Sequence, residues 1–151
     1  MQDANYKMMK TNKQLIGIDL FAGAGGLSLG AEMAGISMRY AVEADAYAAA
    51  SYKRNFKNAT VFCEDIRKLS ADKLNTQPVF IIMGGPPCQG FSLSNTKTRD
   101  MSNPNNRMFE EFLRFVDKIA PTWFVFENVY GLTKFKNGEE NIQNHIENRF
   151  R

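Results

Sequence analysis

Apolar residues along this chain fall into short runs separated by amphipathic stretches, and the two kinds of segment alternate. Leu15–Leu20 is a nearly continuous apolar run interrupted by one glycine and one carboxylate, which predicts a buried strand. A glycine-rich turn follows, then a helix from about Leu27 to Ala34. Arg39–Glu43 predicts a second strand, and Asp45 stands where a side chain can cap a helix running to about Asn55. Thr60–Cys63, Val79–Met83 and Trp123–Glu127 predict three more strands, the middle one ended by Gly84-Gly85-Pro86-Pro87. Met108, Phe109, Phe112, Phe115, Val116 and Ile119 recur at intervals of three and four, the signature of an amphipathic helix. Ile142, Ile146 and Phe150 mark a last helix, and residues 88–105, without periodicity and rich in Ser, Asn and Thr, predict a long loop.

Strands alternating with helices at this spacing predict βαβ units and a doubly wound, mainly parallel α/β sheet. In such sheets ligands bind beyond the carboxyl ends of the strands. Asp19, Glu43, Asp65, Cys88 and Glu127 all stand at or just past a predicted strand end, which gathers five reactive side chains on one rim.

Composition narrows the setting. With 151 residues, 44% hydrophobic and 23% charged, the chain has the make-up of one folded domain, expected over residues 15–151 after a polar extension at 1–14. A net charge of +3 permits a nucleic-acid partner without requiring one. The longest apolar run, Val79–Met83, is far too short to span a bilayer, and the polar N-terminus lacks the apolar stretch of a secretory signal. Two cysteines make no disulfide framework, so a reducing, cytoplasmic location is expected.

The turn Phe21-Ala22-Gly23-Ala24-Gly25-Gly26 lets the backbone approach a ligand closely, and Glu43 ends the next strand where a carboxylate can accept hydrogen bonds from ribose hydroxyls. That pattern fits a nicotinamide dinucleotide site, an S-adenosylmethionine site or a plain tight junction. The pyrophosphate fingerprint G-x-G-x-x-G would need glycine where Ser28 stands, which favours a ligand with a ribose and no phosphate. Gly84-Gly85-Pro86-Pro87-Cys88-Gln89-Gly90-Phe91-Ser92 is the most specific segment: it sets a thiol after a strand between stiffening prolines and a freeing glycine, as a nucleophile is set. Cys63, inside a predicted strand, reads as a buried structural cysteine. With His145 the only histidine, neither a Cys–His hydrolase nor a protein-built zinc site is expected.

Asp19-Leu20-Phe21-Ala22-Gly23-Ala24-Gly25-Gly26, Pro86-Pro87-Cys88-Gln89-Gly90-Phe91-Ser92 and Glu127-Asn128-Val129 resemble, in order, the motifs of the DNA (cytosine-5)-methyltransferase family. Glu43 and Glu64-Asp65-Ile66 fall where that family has its intervening cofactor motifs. The resemblance implies a Rossmann-like methyltransferase fold and methyl transfer from S-adenosylmethionine to carbon 5 of cytosine, leaving S-adenosylhomocysteine, with no metal. It implies Cys88 as nucleophile and Glu127 as the acid at ring nitrogen 3. Cofactor contacts would come from Phe21, Gly23, Gly25, Gly26, Glu43, Ala44, Asp65, Ile66, Pro87 and Met108. Asp65 would take the adenine amino group, and Asn128 would brace the cysteine loop. The substrate would be double-stranded DNA with a flipped cytosine, contacted by Gln89, Ser92, Ser94, Lys97 and Arg99, as in a restriction–modification enzyme. The pattern breaks near Asn105, where the family has arginine and this chain has Arg107. The family's Gln-x-Arg-x-Arg motif, target-recognition region and last cofactor motif are absent from the sequence. A half-enzyme completed by a second chain, or a truncation lacking its C-terminal part, is therefore expected. The runner-up is a catalytically incomplete S-adenosylmethionine-binding subunit; an NAD-dependent oxidoreductase is a distant third.

Overall fold

A computed structural model describes residues 14–74, 78–87, 108–129, 136–137 and 140–149. Five parallel strands, β1 (Ile16–Leu20), β2 (Ser37–Val42), β3 (Thr60–Phe62), β4 (Ile81–Gly84) and β5 (Trp123–Phe126), form one sheet in the order β3-β2-β1-β4-β5. The expected doubly wound sheet is confirmed, and β1 lies at its centre, buried at all five positions. Chain order reverses direction at β1, so the crevice between its carboxyl end and that of β4 is the switch point where such sheets open a ligand site.

The two faces of the sheet are covered differently. Helix α3 (Met108–Ile119) packs on one face with two 3-10 turns, Ile66–Lys68 and Ala71–Leu74, which the sequence reading did not foresee. Ile18, Leu20, Val42 and Ile82 meet Phe112, Phe115, Leu69 and Leu74 in that layer. Phe112 stands edge-on to Phe126, ring centres 5.3 Å apart, an arrangement that aromatic pairs favour. Helices α1 (Gly26–Met33) and α2 (Ala46–Asn55) cover the other face with Ala31, Ala49, Tyr52 and Phe56. Asp45 caps α2 as expected, accepting from the Ala48 N–H at 2.8 Å. A short hairpin of β6 (Lys136–Asn137) and β7 (Glu140–Asn141) precedes helix α4 (Ile142–Arg149).

Observed limits differ from the predicted ones by one to two residues at most ends, because apolar runs mark where a strand is buried and not where its ladder stops. Two expectations are corrected. Cys63 lies one residue past β3 and is exposed, not buried in a strand. Asp19 is not on the rim: it sits inside β1, 1% exposed, with α1 packed over it. The extension expected over residues 1–14 lies, apart from Gln14, outside the described residues.

Asp19 joins three elements. Its Oδ2 accepts from Ser28 Oγ on α1 at 2.6 Å, and Ser28 Oγ is 2.6 Å from the Tyr52 hydroxyl on α2. Ser28 has one proton, given to Asp19, so the Tyr52 hydroxyl is the donor of the second bond. Burial pushes the phenol of Tyr52 upward, which keeps that donor protonated. Asp19 Oδ1 has no partner among the described residues. Burial pushes this carboxyl up to about 6 from 3.8; the Ser28 bonds oppose the rise and the Glu43 charge adds to it. In the unfolded chain Asp19 loses its proton near its ordinary value, so between about pH 4 and pH 6 the folded state binds more protons and stability falls as pH rises. The ionised group costs about 3 kcal/mol at neutral pH. Asp19→Asn keeps an acceptor for Ser28 without the charge. Its stability relative to the wild type should therefore improve by about 2 kcal/mol between pH 4 and pH 7, read from urea unfolding at the two pH values.

Candidate functional site

The carboxyl ends of four strands surround one cavity of about 360 Å³. Phe21 follows β1, Val42, Glu43 and Ala44 close β2, Glu64–Arg67 follow β3, and Gly85 and Pro87 follow β4, with Met108 at the start of α3. Sequence reading placed Phe21, Glu43, Ala44, Asp65, Ile66, Pro87 and Met108 at a ligand, and the fold brings these seven together. Val42, Arg67 and Gly85 were missed, and Glu64 was quoted only as part of a motif. Val42 and Gly85 adjoin predicted positions and were legible from them, whereas nothing in the linear pattern distinguishes Arg67 from a solvated surface arginine.

Glu43 is the most constrained group of the site. Its Oε2 accepts the N–H of Gly23 at 2.8 Å and its Oε1 accepts the N–H of Asp45 at 2.7 Å. One carboxylate thus ties the glycine turn after β1 to the cap of α2. Each oxygen retains a second lone pair for a ligand hydroxyl. Phe21 sits beside it with a φ of 59°, a left-handed conformation that costs a bulky residue of order 1–3 kcal/mol and tends to occur where a ring must be presented to a ligand.

Across the cavity, Asp65 caps the first 3-10 turn, accepting from the Arg67 N–H at 3.0 Å, and its carboxylate is paired with the Arg67 guanidinium. Those bonds hold Asp65 down to about 2, so it is an acceptor at any physiological pH. Arg114 of α3 fixes this wall from behind, donating to the carbonyls of Ile66 at 2.8 Å and Leu69 at 3.2 Å. Ile66 and Met108 are both core residues and cavity lining, so packing and ligand contact are one role here.

The remaining predicted residues divide. Glu127 is exposed just past β5, its N–H bonded to the Gly84 carbonyl. Its Oε2 lies where a Cβ on Gly85 would come within 2.6 Å, so glycine at 85 lets this carboxylate approach the cavity wall. Asn128 donates to the carbonyl of Pro86 at 3.1 Å, bracing the segment that leads to Cys88. Gly23 contributes its N–H to Glu43, whereas Gly25 and Gly26 do not line this cavity and face a separate groove with Leu29, Glu32, Asn55 and Phe56. Cys88, Gln89, Ser92, Ser94, Lys97 and Arg99 lie outside the described residues. Among the described residues no group of three or more His, Cys, Asp or Glu could hold a metal ion, and no helix is long and apolar enough to cross a membrane.

Gly25 has a φ of 100°, and a Cβ there would run into the Phe56 ring. Gly25→Ala combines backbone strain with overpacking and should cost about 2–4 kcal/mol, measured by urea unfolding.

The comparisons with known proteins bear on this arrangement. The family model for C-5 cytosine-specific DNA methylase matches residues 15–151. The Type II methyltransferase M.DdeI of Desulfomicrobium norvegicum is 46% identical over 121 residues, 79% of this chain and 29% of the relative. M.AquIA of Picosynechococcus is 38% identical, over 81% of this chain and 51% of the relative. Among solved structures, a DNA modification methyltransferase encoded within an E. coli prophage superposes with a TM-score of 0.73 at 38% identity, over 90% of this chain and 37% of that one. Dnmt2 methyltransferase of S. pombe, at 22% identity and a TM-score of 0.64, shows the shared fold alone. The chain spans about a third to a half of the length of these proteins. Cavity, motif order and matched length agree, and the chain belongs to the C-5 cytosine-specific DNA methylase family.

Proposed function

We propose that this chain is the nucleophile-bearing, cofactor-binding part of a DNA (cytosine-5)-methyltransferase. One observation carries the reading: Pro87, immediately before Cys88 in sequence, lines the same cavity as Glu43, Asp65 and Phe21. Cys88 follows a cavity-lining residue directly in the chain, which supports its assignment as the nucleophile.

The lining fits S-adenosylmethionine. Phe21, Ile66 and Met108 offer an apolar surround for a planar base, Asp65 a permanent acceptor for its amino group, and Glu43 lone pairs for ribose hydroxyls. Bound there, S-adenosylmethionine supplies an electrophilic methyl group. Carbon 5 of cytosine is too weak a nucleophile to take that methyl unaided. The Cys88 sulfur, as thiolate, would add to carbon 6 and open the 5,6 double bond, leaving its electron pair at carbon 5 to accept the methyl group that the bound cofactor would supply, with S-adenosylhomocysteine as the leaving group. Glu127 shares a proton with nitrogen 3, where negative charge gathers. Loss of the carbon 5 proton and departure of the Cys88 sulfur restore the aromatic ring. A base inside a duplex must first be flipped out, at a cost of a few kcal/mol. Gln89, Ser92, Ser94, Lys97 and Arg99, which follow Cys88, are the proposed contacts to DNA.

Strand β5 supports the proposal that a further region, covalent or on a second chain, completes the enzyme and carries target recognition. Trp123, Phe124 and Val125 are exposed at an edge of the sheet, Trp123 by 62%. Phe124 and Phe126 meet Phe112 of α3 on one face, while Trp123 and Val125, on the other, are exposed among the described residues, which favours further structure over that face.

Two measurements test the reading. In calorimetric titration the chain should bind S-adenosylmethionine and not NADH, and Glu43→Ala should weaken binding about tenfold or more, having lost charged hydrogen bonds. Failure of a folded chain to bind would assign completion of the pocket to the proposed further region. On DNA carrying 5-fluorocytosine, the completed enzyme should form a covalent adduct that Cys88→Ala abolishes; an adduct persisting in that variant refutes the mechanism.

A further inference from the structure

The glycine turn is held on its cavity side by Glu43, but most of what fixes it comes from behind. Three residues at the end of α2 reach it: Asn55 Nδ2 donates to the Ala24 carbonyl at 3.1 Å, the Phe56 ring fills the space a Cβ of Gly25 would occupy, and the buried Tyr52 hydroxyl donates to Ser28 Oγ. Tyr52 and Phe56 are themselves in contact, ring centres 4.4 Å apart and planes tilted by 35°, so the residues that make the hydroxyl contact and the ring contact brace each other. Ser28 in turn hands its proton to Asp19 in the central strand, which anchors the chain of bonds in the most buried part of the sheet. The end of α2 and Glu43 therefore grip residues 23–28 from opposite sides.

We propose that Tyr52, Asn55 and Phe56 are positioning residues for cofactor binding, setting the glycine turn from behind so that Phe21 and Glu43 meet the nucleoside already in place. The inference rests on the reading of the cavity as the cofactor site. None of the three residues lines that cavity, so each acts through the turn. A ligand that finds the turn already ordered does not have to order it on binding, and the advantage appears in affinity.

Asn55 gives the cleanest test because it is exposed and its contact to Ala24 is a single hydrogen bond. Asn55→Asp keeps the size of the side chain and removes the donor. S-adenosylhomocysteine should bind this variant about three- to tenfold more weakly, the effect of one hydrogen bond, with a fall in melting temperature of no more than a few degrees. Amide exchange should quicken by a similar factor at Gly25 and Leu29, whose N–H groups close the turn and open α1, and stay unchanged at Ile18 and Leu20 in β1. Tyr52→Phe should show the same local pattern. Equal affinity with unchanged exchange at the turn overturns the proposal. Faster exchange spread evenly into β1 overturns it too, since that is plain destabilisation. If the wild-type chain binds no S-adenosylhomocysteine, the cofactor reading fails for the chain alone, and exchange at the turn still decides whether α2 holds it.

Discussion

A parallel strand covered by helices on both faces has no solvent side, and β1 is such a strand at every one of its five positions. Its polar backbone is satisfied by β2 and β4, and any side chain along it must be apolar, absent or paired. Ile18 and Leu20 are apolar and feed one core layer. Gly17 leaves space that Met38 occupies, and Asp19 is paired through Ser28. The chain can become polar and irregular only where β1 ends, and it does so within one residue, at Phe21. The site is built on that abrupt change. Rigid apolar packing lies below the rim, and turns whose backbone N–H groups are answered by carboxylates lie above it.

Much of this was legible in the sequence because the relevant signals are local. The apolar runs marked the five strands, Asp45 marked the start of α2, and the three-and-four spacing from Met108 to Ile119 marked α3. What misled was the step from strand end to exposure. Asp19 reads as a rim residue only if α1 is imagined away; Ser28 draws it under the helix, and that pairing spans nine residues with no motif to announce it. Cys63 fails in the opposite direction, since β3 stops at Phe62 and the next side chain emerges into solvent.

The candidate site shows the same division. Motif resemblance located the residues of the cavity wall, but it could not tell which glycines face a ligand and which face the protein. Gly23 serves Glu43, whereas Gly25 is glycine because Phe56 needs the room. The difference is set by α2, thirty residues further along, and is invisible until the helix is packed. Arg114 is likewise placed by tertiary contacts, and Arg67 by a local pairing with Asp65 two residues before it. One neutralises Asp65 and the other pins two carbonyls of the wall, and neither stands in a recognisable pattern.

The bare aromatic edge at β5 has a consequence for the life of the polypeptide as a molecule in a crowded solution. A strand that is outermost among the described residues and carries exposed apolar side chains is a template on which another extended segment can be laid down. Charged side chains, proline or a bulge usually blunt such an edge, yet Trp123-Phe124-Val125-Phe126 has none of them. Trp123, Phe124 and Val125 are exposed to any extended apolar segment that reaches them.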